Sequence, residues 1–132
     1  MELLKTYPTE LLILCFLVVT FLQSGIDKII DWKGNVSFIK GHFSNSPLKN
    51  SVPLLVGIIL TTEIIASLFM ILGAYELISH GQKTYALIGT ELAALTLIFL
   101  LIGQRLAKDY AGAMTLAVYF ATTIFGVYLL SK

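Results

Sequence analysis

Charge is what this chain has least of. Only 13% of its 132 residues are Asp, Glu, Lys or Arg, about half the share found in soluble domains. So few charges cannot cover a folded core with a polar surface, which excludes an ordinary water-soluble globule. Cysteine is scarcer still. Cys15 stands alone, so one chain can form no disulfide, CxxC pair or cysteine-rich metal site. Inside an apolar run, Cys15 reads as a small apolar filler. The two histidines, His42 and His80, fall in connections on opposite faces of the helical arrangement derived below. They cannot share a metal ion or clamp one haem within a monomer. No HExxH, P-loop or GxGxxG pattern occurs, and no Ser/His/Asp grouping is supported. A net charge of +1 offers no nucleic-acid surface. No polar stretch is long enough for a core of its own. The N-terminus lacks a basic leader region and no small-x-small cleavage pattern follows Phe21–Gly25, so the first apolar segment is expected to be retained.

Apolar residues fill the space that charge leaves: 57% of the chain, with a mean hydropathy of +0.86. They fall into four runs, at about 9–30, 53–78, 84–104 and 111–130. Each is long enough to cross ~30 Å of hydrocarbon at ~1.5 Å per residue. A helix satisfies its own backbone in lipid, so each run is expected to be helical. The expected fold is all-α, a single integral membrane four-helix bundle over 1–132. Short second and third connections force their helices to be antiparallel neighbours. Asn50-Ser51-Val52-Pro53 is the expected start of the second span, and Gly81 its stop signal.

The first connection carries a pattern of its own. Trp32, Val36, Ile39 and Phe43 recur at i, i+4, i+7 and i+11, opposite Lys33, Asn35, Ser37 and Lys40. This is one apolar stripe on a helix too short to span. An interfacial amphipathic helix is expected, with Trp32 at headgroup depth. A lid over the bundle mouth is the alternative, and the lipid-surface placement is preferred slightly as the commoner one.

The basic residues give an orientation. Of nine Lys and Arg, six (Lys28, Lys33, Lys40, Lys49, Arg105, Lys108) lie with the first and third connections, and Lys5, Lys83 and Lys132 lie opposite. By the positive-inside rule the first group faces the cytoplasm and both termini lie outside, in the periplasm if the membrane is a bacterial inner membrane.

Two carboxylates interrupt the apolar runs. A charge at the centre of a span costs about 2.5–3.5 kcal/mol on insertion scales, so Glu63 and Glu91 must face a partner, a cavity or each other. Glu63 lies about 15 Å in from Pro53, with Ser67 one turn further along. Alone it would be held neutral by burial; with Lys28 or Arg105 in reach it could be ionised and centre a polar core. Glu91 lies about 10 Å below the opposite face. With Tyr119 and Thr123 it could form a hydrogen-bonded ladder, serving as proton relay or as glue between helices. On the first helix Gln23, Asp27 and Asp31 share a face, with Ser24 and Lys28 on the adjoining stripe. Arg105, Lys108 and Asp109 close the third connection on the same side. These polar groups gather at one mouth of the bundle, where Asp27 or Asp31 pairing with Arg105 or Lys108 would simply staple helix ends. The small residues Ala111, Gly112, Ala113, Thr115, Ala117 and Gly126 permit close approach of the last helix to a neighbour in the bundle or in another subunit. Tyr7, Tyr75, Tyr85 and Tyr110 flank spans as interface anchors.

Several of these landmarks occur together in one family. Ser24-Gly25-Ile26-Asp27-Lys28-Ile29 ends the first span, an aromatic-bearing connection follows, and the second span carries Glu63 and Leu72-Gly73. Gln104-Arg105-Leu106-Ala107-Lys108-Asp109-Tyr110-Ala111-Gly112 joins the last two spans. In order and spacing the chain resembles the DoxX family along nearly its whole length. The resemblance implies a four-helix inner-membrane protein, with some relatives serving as membrane subunits of quinone-linked oxidoreductases and others in redox-stress complexes. It also implies that the Asp27, Lys28, Glu63 and Arg105 mouth could accept a quinone head group between Trp32, Phe38 and Tyr110. Lacking a thiol pair, this chain would need a partner subunit or bound cofactor for electron transfer. The leading expectation is thus a non-catalytic integral subunit of a respiratory or quinone-linked membrane complex. It contacts lipid and other membrane subunits, requires no cofactor of its own and holds a quinone or lipid. The rival is a small proton-coupled carrier or ligand-binding protein acting as a homo-oligomer; a self-sufficient enzyme ranks last.

Overall fold

The structure is a computed structural model that describes residues 5–132. These residues form five helices: α1 Pro8–Ile30, α2 Trp32–His42, α3 Val52–His80, α4 Thr84–Leu106 and α5 Tyr110–Leu130. All but α2 are long and apolar enough to cross a membrane, and the chain is a multi-pass integral membrane protein. The four expected spans are all present, their ends within two residues of the sequence boundaries. Local chemistry sets those ends. Pro8 and Pro53 lie in the first turns of α1 and α3, where a missing N–H costs no hydrogen bond. Gly81 closes α3 at φ 68°, a left-handed conformation that glycine adopts without strain. Asp109 caps α5, its Oδ1 accepting from the Gly112 N–H at 2.9 Å.

The spans run up-down-up-down in the cyclic order α1, α3, α4, α5, with α3–α4 the most extensive contact. Glycine allows that closeness: Gly73 lies against the Ala86 backbone, and a Cβ at Gly89 would stand 2.8 Å from the Met70 nitrogen. The tightest small-residue crossing is therefore α3 on α4. On α5, Ala113 and Gly126 are buried in the bundle, while Ala111, Thr115 and Ala117 face outward. Cys15 is also exposed, on α1, so it packs no core as a filler.

Two apolar clusters divide the bundle. The larger joins Leu14, Leu17 and Phe21 of α1 with Ala66, Met70 and Leu77 of α3, Ala93 and Leu97 of α4, and Leu130. The smaller lies at the mouth, where Val36 of α2 packs with Val52 and Val56, flanked by Ile39 and Phe43. The short, non-spanning amphipathic α2 lies between the first two spans as expected, and lays part of its stripe on α3. Asn35 fixes it in place, its Nδ2 donating to the backbone oxygens of Asp31 (2.8 Å) and Asp27 (3.2 Å). Trp32 starts the helix 37% exposed, its ring over Gly57 on the outside of α3.

Candidate ligand chamber

Beside the smaller cluster, whose Val52 and Val56 line it, lies a chamber of about 690 Å³. Its walls are largely apolar, with Phe38, Phe43, Leu55, Ile59 and Phe99 among them, and Lys28, Asn35, His42, Gln104 and Asp109 supply its polar groups. A separate hollow of about 490 Å³ runs beneath Trp32 along the outer side of α3 and is almost wholly apolar.

Lys28 and Glu63 form the first polar element. Gly25 is buried against Leu60 and Ile64, which brings the end of α1 level with the middle of α3. One turn further along α1, Lys28 Nζ donates to Glu63 Oε1 at 2.9 Å and to Ser24 Oγ at 2.7 Å. Glu63 is 4% exposed, and the lysine brings it a charge of opposite sign. An ion pair in a low-dielectric site holds its geometry tightly, because each partner left alone would be an uncompensated charge.

The second polar element was not visible in the sequence. His42, placed outside the polar core by its position in a connection, is carried inward by α2. Its Nε2 donates to Gln104 Oε1 at 2.8 Å and lies 3.4 Å from Asp109 Oδ2. Phe38 stacks on its ring at 6.3 Å and Phe43 meets it edge-on at 5.3 Å. One imidazole thus ties α2 to the α4–α5 connection.

Other expected site residues do not join these groups. Arg105 stacks its guanidinium on the exposed Tyr110 ring at 4.9 Å, and Lys108 is exposed in the connection at φ 62°. Asp31 caps α2, accepting from the Gly34 N–H at 3.2 Å. Gln23 and Asp27 are exposed, and their side chains make no hydrogen bond or ion pair among the described residues. The Asp–Arg and Asp–Lys staples are therefore not formed, because each aspartate and each base points to its own neighbourhood. Of the expected mouth aromatics, Phe38 lines the chamber, whereas Trp32 lies over the outer hollow and Tyr110 beneath Arg105.

The ladder of Glu91, Tyr119 and Thr123 is likewise not formed. Glu91 is exposed on α4, while the buried Thr123 donates to the Tyr119 backbone oxygen at 2.8 Å. Ser67 donates to the Glu63 oxygen in the same way at 2.7 Å, as do Thr90 and Thr96 to oxygens one turn back. In hydrocarbon a hydroxyl finds its nearest acceptor in its own helix, so these groups link no helices. Among the described residues no three His, Cys, Asp or Glu side chains converge.

Fold and site together define a multi-pass α-helical membrane protein with a partly enclosed, mostly apolar chamber at one end of its bundle. Neither the family models, the curated proteins nor the solved structures compared with the chain match it.

Proposed function

We propose that this protein is a ligand-binding integral subunit of a membrane complex, and that its chamber holds the ring of a quinone. The chamber carries the reading: about 690 Å³ of largely apolar space with Lys28 and His42 among its few polar groups, within the roughly 300–1,000 Å³ of small-molecule sites. A quinone presents a planar ring that suits walls containing Phe38, Phe43 and Phe99, and carbonyl oxygens that accept from ammonium or imidazole N–H groups. A lipid phosphate would meet the same donors but needs surplus positive charge. Lys28 is already matched by Glu63, and His42 faces Asp109, which favours a neutral acceptor over an anion. The resemblance to the DoxX family agrees with this choice and supports a place in a bacterial inner membrane within a quinone-linked oxidoreductase. The distribution of basic residues supports periplasmic termini. With Cys15 as its only cysteine, the chain offers no dithiol, and electrons would reach a bound quinone through another subunit. The carrier reading has less support, because Ser67 bonds back to its own helix and continues no polar path from Glu63.

The test is native mass spectrometry of the protein extracted from its own membrane, with lipids and quinones identified after release. One quinone per chain is expected. Bulk lipid alone would overturn the quinone assignment.

A further inference from the structure

Glu91 is the deep carboxylate that the bundle does not use. It lies seven residues from Thr84, about 10 Å along α4 from its first residue, and is exposed. Its side chain has no hydrogen bond or ion pair among the described residues. Ile88, Leu95 and Ile98, all exposed, flank it at spacings of three and four, the pattern of a helix seam. Ionised, the carboxyl would be an uncompensated charge in hydrocarbon; protonated, it would present an unpaired donor and acceptor there. A glutamate is too short to reach the surface as Lys and Arg do when they snorkel.

A second copy of this chain does not supply a base for Glu91. Lys28 is the base nearest a span interior and is engaged by Glu63. Every other Lys and Arg lies in a connection, near a terminus or in the last turn of a helix. No base therefore stands about 10 Å deep from either face, and parallel copies joined by this seam would set glutamate against glutamate.

We propose that the Ile88–Glu91–Leu95–Ile98 face of α4 docks against a transmembrane helix of a different protein. That helix carries a Lys or Arg level with Glu91, about 10 Å in from the α3–α4 turn, and the two side chains pair. The proposal rests on the subunit half of the function above and makes no use of the chamber.

A photo-activated cross-linking residue at Leu95, expressed at natural level in the protein's own membrane, tests it. Ile65 on α3 and Val118 on α5, also exposed, carry the cross-linker in parallel. The Leu95 product is expected to contain a different protein, cross-linked through a span with a base at that level. Glu91→Leu should lower its yield about tenfold, and Glu91→Lys should recover it when the partner's base is changed to Glu. Unaltered thermal stability in detergent identifies Glu91→Leu as folded. A Leu95 product with a second copy, with lipid alone or with a span lacking a base overturns the proposal, as does a yield indifferent to Glu91→Leu. Protein cross-links at Ile65 or Val118 but none at Leu95 would remove the Glu91 face and leave the subunit reading standing. No protein cross-link at any of the three would remove both.

Discussion

Lys28 and Glu63, 35 positions apart in the chain, meet at 2.9 Å across the α1–α3 contact, the lysine side chain 13% exposed and the glutamate 5%. Their pairing predicts a particular energetic signature. Glu63→Leu should cost about 3–5 kcal/mol, because it leaves the lysine charge without a partner in a low-dielectric site. Lys28→Met with Glu63→Leu should recover more than half of that loss, since an apolar pair of similar volume needs no compensation. Unfolding in mixed micelles measures these two variants and Lys28→Met alone. Additive losses would show that the two residues act independently.

His42 offers a second test, of the tie between α2 and the α4–α5 connection. His42→Ala removes the 2.8 Å bond to Gln104 and the ring packed between Phe38 and Phe43. Loss of the hydrogen bond alone should cost about 1 kcal/mol. The clearer readout is local: amides of 36–43 should exchange faster with solvent deuterium, while those of α1 and α4 keep their protection. Uniform protection along the chain would mean that the imidazole does not hold α2 down.

The glycines predict opposite signs at two positions. A Cβ at Gly89 would come within 2.8 Å of the Met70 nitrogen, a backbone atom that cannot give way, whereas one at Gly41 would meet nothing within 4 Å. Gly89→Val should destabilise by about 1–3 kcal/mol through forced separation of α3 and α4. Gly41→Ala, in the last turn of α2, should stabilise by up to about 1 kcal/mol through helix propensity. Thermal unfolding of both variants in one detergent decides the matter, and a common sign would count against the close crossing.

The contrast between Glu63 and Glu91 shows how far such a sequence can be read. Length and hydropathy located the spans because lipid imposes a minimum run and a helical backbone. The meeting of Lys28 and Glu63 was within reach for a similar reason: few bases lie near any span interior, and helix rise limits which can approach a given depth. The facing of Glu91 was not legible. In a soluble helix polarity marks the outside, but a membrane bundle is apolar on both its inner and its lipid faces, so periodicity carries little information about which way a residue points. His42 was hidden by a different cause. Its partners Gln104 and Asp109 lie across the mouth, and only the fold-back of α2 brings them together.

Filling the chamber is the last and most direct prediction. Gly103 lines it, and a Cβ there would sit 3.5 Å from the Phe43 ring, an ordinary contact. Gly103→Phe therefore adds a ring into chamber space without forcing the backbone apart. The extra apolar contacts should hold thermal stability level or raise it, while the quinone retained through purification falls about tenfold, as expected when a side chain occupies ligand volume. Stability separates this outcome from simple misfolding, which would lower both quantities together. Undiminished quinone in a stable Gly103→Phe protein would place the ligand outside the chamber, for which the hollow beneath Trp32 would be the next position to block.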